Sequence, residues 1–171
     1  MNPTLWQRID VIARRLVPVG LALVLILFAQ TPTHVPGLAH ATPMYDLAAV
    51  YFWSIYRPNL LGYGAGFGLG LLEDMLSGAP LGTGSLALLA CQYIVFHQQK
   101  FFNARPFGVM WAAFAVLAVG AGLLKWLVIG LVAVSFTRFG DMLTSVLLTV
   151  SLYPIIAWLL ARAQMKLLAQ P

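Results

Sequence analysis

The sequence predicts an all-α integral membrane protein, a compact bundle of about six transmembrane helices built as one membrane domain over residues 1–171. Three observations predict it. Hydrophobic residues make up 61% of the chain and charged residues 9%, with a mean hydropathy of +0.87, whereas soluble domains carry about 25% charged residues. Apolar runs of helical length recur along the chain, as a bilayer core of about 30 Å requires. The polar breaks between them are mostly short, which favours antiparallel neighbours.

The elements follow in order. Residues 1–15 read as an amphipathic cytoplasmic segment, with Trp6, Arg8, Arg14 and Arg15 suited to a membrane interface. The first apolar run, 16–29, has a signal-like order of basic then apolar residues, but AQTPTH is a poor small-residue cleavage site, so a retained helix is expected. After the proline-rich stretch QTPTHVPGLAHATP comes a short second segment, 44–56, between Pro43 and Pro58. The remaining segments are 60–76, 81–96, 107–127 and 142–161.

Basic residues are retained on the cytoplasmic side of a membrane. With the N-terminus inside, Arg8, Arg14, Arg15, Arg57, Lys100, Arg105, Arg162 and Lys166 all fall inside, leaving Arg138 and Lys125 toward the outside. Both termini are therefore expected in the cytoplasm. Dropping the short second segment would put the later basic clusters on the wrong face, which argues for counting it.

The net charge of +5 comes from basic residues scattered at helix ends, without an aromatic-interleaved patch, so nucleic acid is not an expected partner. The lone Cys91 excludes an internal disulfide and a cysteine metal framework. His34 and His40 share the outer loop without a carboxylate nearby and read as ordinary loop residues, so no metal is expected. Cys91 and His97 lie six apart, on different sides of a helix. No nucleophile, base and orienting acid assemble, and neither a catalytic site nor a cofactor is expected.

The stretch LLGYGAGFGLGLLEDMLSGAPLGTGSLALL holds the densest signal. Glycine at alternate positions could mark a strand, but one such segment cannot close a barrel, and a helix fits the neighbouring runs better. At 100° per residue Gly62, Gly66 and Gly70 form one stripe and Gly64 and Gly68 another on the far side, each with the spacing that lets helix backbones approach closely in lipid. This third helix is accordingly expected at the bundle centre. The dinucleotide-binding G-x-G-x-x-G spacing is absent.

Glu73 falls within the first stripe and Asp74 beside it, so both point inward. A carboxylate at membrane depth is costly unless paired or wet, which makes the two a candidate partner or ion-pair site. The alternative is that they cap the helix end at the outer headgroups. Lys125, late in the fifth segment, shares their depth and is the natural partner, with Arg138 and Asp141 extending the charged cluster; the alternative for Lys125 is snorkelling to the interface.

The run GFGLGLLEDMLSGAPLGTGSL, preceded by YRPNLLGYG and followed by ACQYIVFHQQKFF, resembles the rod shape-determining membrane protein MreD family. That family shows a glycine-rich helix ending in an acid, a short turn, and a small-Pro-Leu-Gly step into the next helix. The matching residues are Gly66, Gly68, Gly70, Asp74, Gly78, Pro80, Leu81 and Gly82. The resemblance implies a multi-pass protein of the bacterial inner (cytoplasmic) membrane, a non-catalytic scaffold of the cell-elongation machinery. The partners it implies are MreC, the actin-like MreB, a SEDS glycosyltransferase and a class B transpeptidase, together with membrane lipid. Asp74 matches the family's acidic position and is the preferred partner for Lys125; the alternatives for these acids are to accept hydrogen bonds from the backbone amides of the turn after Ser77 or to receive a basic group of a partner. Self-association through the second glycine stripe is left open. The alternative is a small-molecule-binding subunit similar to the substrate components of energy-coupling-factor transporters, whose A-x-x-x-A docking pattern is missing here: Ala22 and Ala29 are seven apart.

Overall fold

The computed structural model describes residues 5–29, 42–102, 105–134 and 138–168. These form seven helices: α1 (Leu5–Ala29), α2 (Tyr45–Tyr56), α3 (Tyr63–Ser77), α4 (Thr83–His97), α5 (Gln99–Phe102), α6 (Phe107–Val132) and α7 (Phe139–Leu168). Among the described residues there is no strand. The four-residue α5 is an extra turn after α4, and the six longer helices correspond to the six expected segments.

Their boundaries correct the expected ones. α1 starts at Leu5 and runs unbroken through Pro18, so no junction separates residues 1–15 from 16–29. The amphipathic pattern of residues 1–15 and the loop of His34 and His40 lie outside the described side chains. α6 and α7 are longer than expected, because hydropathy fades before helical hydrogen bonding does. Both are long and apolar enough to cross a membrane, over Phe107–Val132 and Phe139–Lys166, while Val17–Ala29 and Thr83–His97 are shorter apolar helices.

The centre of the bundle is α2, which packs against α1, α3, α4, α6 and α7. Every residue from 46 to 54 is buried. With 12 residues it is about 18 Å long, too short to cross a bilayer core of about 30 Å by itself. Its surroundings are protein. At one end Tyr51 donates to the Met110 carbonyl at 2.8 Å and packs its ring against Phe114 and Tyr153. At the other end the Met44 amide donates to Thr149 Oγ1 at 2.9 Å, joining the start of α2 to α7.

α3 lies at the flank instead of the centre, packed chiefly on α4. Gly66 and Gly70 are buried. A Cβ at Gly70 would run into the backbone of Gly84 and Ser85, and one at Gly66 into the side-chain amide of Gln92. Gly62 is not part of the helical stripe: it is the N-cap of α3, in extended backbone. Gly64 and Gly68 are exposed, with nothing within 4 Å of an added Cβ. The second stripe therefore packs on no described helix of this chain, because α3 has a neighbour on one side only at that level.

Proline inside α7 removes one helical donor, since Pro154 has no N–H to give the carbonyl of Val150. The indole of Trp111 on α6 fills that role, donating to the Val150 oxygen at 2.9 Å. One break in the helical ladder thus becomes a tie between the two longest apolar helices.

Candidate functional site

The ends of α1, α3 and α6 and the starts of α2, α4 and α7 meet at one end of the bundle and line a half-open cavity of about 900 Å³. Successive long helices therefore alternate in direction. The walls carry Asp46, Glu73, Asp74, Lys125 and Asp141 among apolar side chains such as Ile26, Ile129 and Met142.

Asp74 is set by the turn that follows it. α3 ends at Gly78 (φ +70°) and α4 is preceded by Gly82 (φ +98°), left-handed conformations in which a side chain would be strained. Between them, Pro80 accepts from the Thr83 hydroxyl at 2.8 Å, and Leu81 points outward. This path lays the start of α4 over the Asp74 carboxylate. Oδ2 accepts from the Gly82 amide at 2.8 Å and Oδ1 from the Gly84 amide at 2.7 Å. Helices begin with backbone donors that lack helical partners and with the positive end of the dipole, so an anion is favoured there. Gly82 has no side chain to cap its own helix; a residue of the preceding helix caps it. Asp74 is 1% exposed.

Lys125 instead pairs with Glu73. Its Nζ donates to Oε1 at 2.8 Å and to Oε2 at 2.9 Å, joining α6 to α3. It also lies 3.5 Å from Oδ2 of Asp46 on α2, so one ammonium stands between carboxylates of two further helices. The expected Asp74–Lys125 pair is corrected accordingly: both Asp74 oxygens are taken by amides, and Glu73, one position earlier, projects toward α6. Lys125 does not snorkel. A Cβ on Gly84 would strike the carboxylates of both Glu73 and Asp74, so this glycine makes the room in which the two acids sit side by side.

Asp141 reaches the cavity from the first turn of α7, but Arg138 is exposed and lies outside its lining, so the extended cluster holds for Asp141 alone. Cys91 is buried and His97 exposed, on different faces of α4 as expected. Sequence reasoning missed Asp46, Gly84 and Gln92. Asp46 had a signal, since it is one of only five acids in the chain. Gln92 holds the entry to α3: it is fully buried and donates to the carbonyl of Leu61 at 3.3 Å.

The glycine-lined α3–α4 contact, the acid capping the next helix and the left-handed glycines on either side of Pro80 and Leu81 form one unit. The chain matches the family described as rod shape-determining protein MreD over residues 10–163, nearly its whole length. The chain belongs to the MreD family. As a member of it with two long apolar helices, it is a membrane protein. It is also similar to an uncharacterized protein of Rickettsia prowazekii (strain Madrid E), 36% identical over 64 residues, which span 37% of this chain and 35% of that one. No solved structure matches the chain. Within the MreD match, Gly66, Gly70, Asp74, Gly78 and Gly82 act together: two admit α4, two turn the chain, and the acid closes the turn.

Proposed function

We propose that this MreD-family protein is a non-catalytic, multi-pass scaffold of the bacterial inner membrane, acting in rod-shape determination by binding MreC and organising MreB and the wall synthases. The family match over residues 10–163 is the observation that carries the reading. The internal roles of the charged groups agree with it. Asp74 is occupied as a helix cap and Glu73 as an ion-pair partner of Lys125, which is the use of charge expected of architecture.

Affinity purification of the tagged protein in mild detergent, followed by mass spectrometry, tests it. MreC and the wall synthases are the expected companions, and depletion of the protein is expected to turn rods into rounded cells. Recovery of an ATP-binding cassette module in their place, with normal cell shape after depletion, would favour the transporter-like alternative.

A further inference from the structure

Four of the five acidic residues in the chain, Asp46, Glu73, Asp74 and Asp141, line the cavity described above, although the chain as a whole carries a net charge of +5. Among the described residues that line it, one fixed cation, Lys125, stands with them. The amides at the start of α4 hold Asp74 and Lys125 holds Glu73, which leaves Asp46 incompletely matched, while Asp141 adds a half-buried carboxylate to the same wall. Asp46 is 2% exposed, and its Oδ2 accepts no hydrogen bond, the nearest charge being Lys125 Nζ at 3.5 Å. A buried carboxylate oxygen without a donor is uncommon in a native structure and marks a position where a donor from outside the chain fits.

We propose that this cavity binds a small organic cation, a molecule with a protonated N–H amine and an apolar body. The charge excess calls for a cation, and the buried Asp46 oxygen, which has an ammonium at 3.5 Å but accepts no hydrogen bond, calls for a donor. A metal ion is disfavoured, because no group of three or more His, Cys, Asp or Glu among the described residues is arranged to hold one. The walls beside the acids are apolar, and about 900 Å³ falls within the range of small-molecule sites. The inference does not rest on the scaffold reading, and a binding measurement on purified protein tests it separately. The same amine chemistry is offered by a soluble metabolite and by the headgroup of phosphatidylethanolamine.

Dansylcadaverine, a primary amine on an aromatic body, is a suitable probe, because Trp126 in the cavity wall can transfer its excitation to the dansyl group. With protein in phosphatidylcholine nanodiscs, saturable tryptophan-sensitised emission is expected, weakened by Trp126→Phe. Asp46→Asn and Asp141→Asn should each reduce affinity, the former by about tenfold, and N-butyl dansylamide, which lacks the charge, should bind at least about tenfold more weakly. Nanodiscs rich in phosphatidylethanolamine that compete with the probe assign the amine to lipid; unchanged affinity there assigns it to a soluble molecule. Equal binding of the charged and neutral probes overturns the inference. So does unchanged affinity in Asp141→Asn with a wild-type melting temperature, even if Asp46→Asn fails to fold, and so does the absence of saturable binding.

Discussion

Lys125 grips both oxygens of Glu73, at 2.8 and 2.9 Å, and in doing so ties α6 to α3 beside Asp46 of α2, whose Oδ2 lies 3.5 Å from the same ammonium. A buried pair of this kind contributes little against a well-packed apolar substitute, but breaking it from one side strands a charge. Lys125→Met should destabilise by about 3–5 kcal/mol, because it leaves two carboxylates facing each other without a cation. Adding Glu73→Gln to Lys125→Met should recover part of the loss. Melting temperatures in detergent check both, and a double variant no more stable than Lys125→Met would count against the pairing.

Asp74 answers to a different measurement. Asp74→Asn keeps one acceptor oxygen but turns an NH₂ group toward one of two amide donors, so a loss of about 1–3 kcal/mol is expected. Hydrogen exchange should quicken at the amides of residues 82–86 and not at α6. A charge swap between Asp74 and Lys125 should fail to restore stability, whereas a swap between Glu73 and Lys125 should restore some of it.

The two glycine stripes of α3 should separate cleanly. Gly70→Ala and Gly84→Ala place a methyl group against backbone or carboxylate atoms that have little room to retreat, and should lower protein levels and melting temperature. Gly64→Ala and Gly68→Ala meet open space; with glycine about 1 kcal/mol worse than alanine inside a helix, they should be neutral or mildly stabilising. Loss of cell shape in Gly68→Ala at normal protein level would instead place a partner or a second copy on that stripe.

Orientation is checked by fusions at Pro171. If both termini are cytoplasmic, as the distribution of basic residues predicts, a fluorescent protein there should glow and alkaline phosphatase there should be inactive. The reverse pattern would overturn the assignment.

What the sequence made legible tracks the kind of interaction involved. α6 and α7 stand out because apolar length is a local property. Gly66, Gly70, Glu73, Asp74 and Lys125 were reachable from helical angle and depth, which are also local. The division of labour between the two acids was not, because it depends on the path of the turn from Gly78 to Gly82, which decides where the start of α4 lands. Asp46 escaped notice for a related reason: α2 looks like a weak span by length, and only its neighbours, drawn from the whole chain, make it the centre. Arg138 was grouped with the acids by sequence proximity to Asp141, but one side of a helix start faces the cavity and the other faces away.

The position of α2 also constrains how the molecule is made. The segment that becomes the hub leaves the ribosome after α1, while α4, α6 and α7, three of the helices that surround it, and the lysine beside Asp46 are still to be synthesised. On its own this helix is short and carries an acid, so it has no comfortable depth in lipid. Among the described residues, its acid has no ion-pair partner until Lys125 of α6 is made. Chains truncated before Phe107 should therefore be degraded as unassembled precursors, while a separately expressed α6–α7 fragment supplied in trans should rescue them.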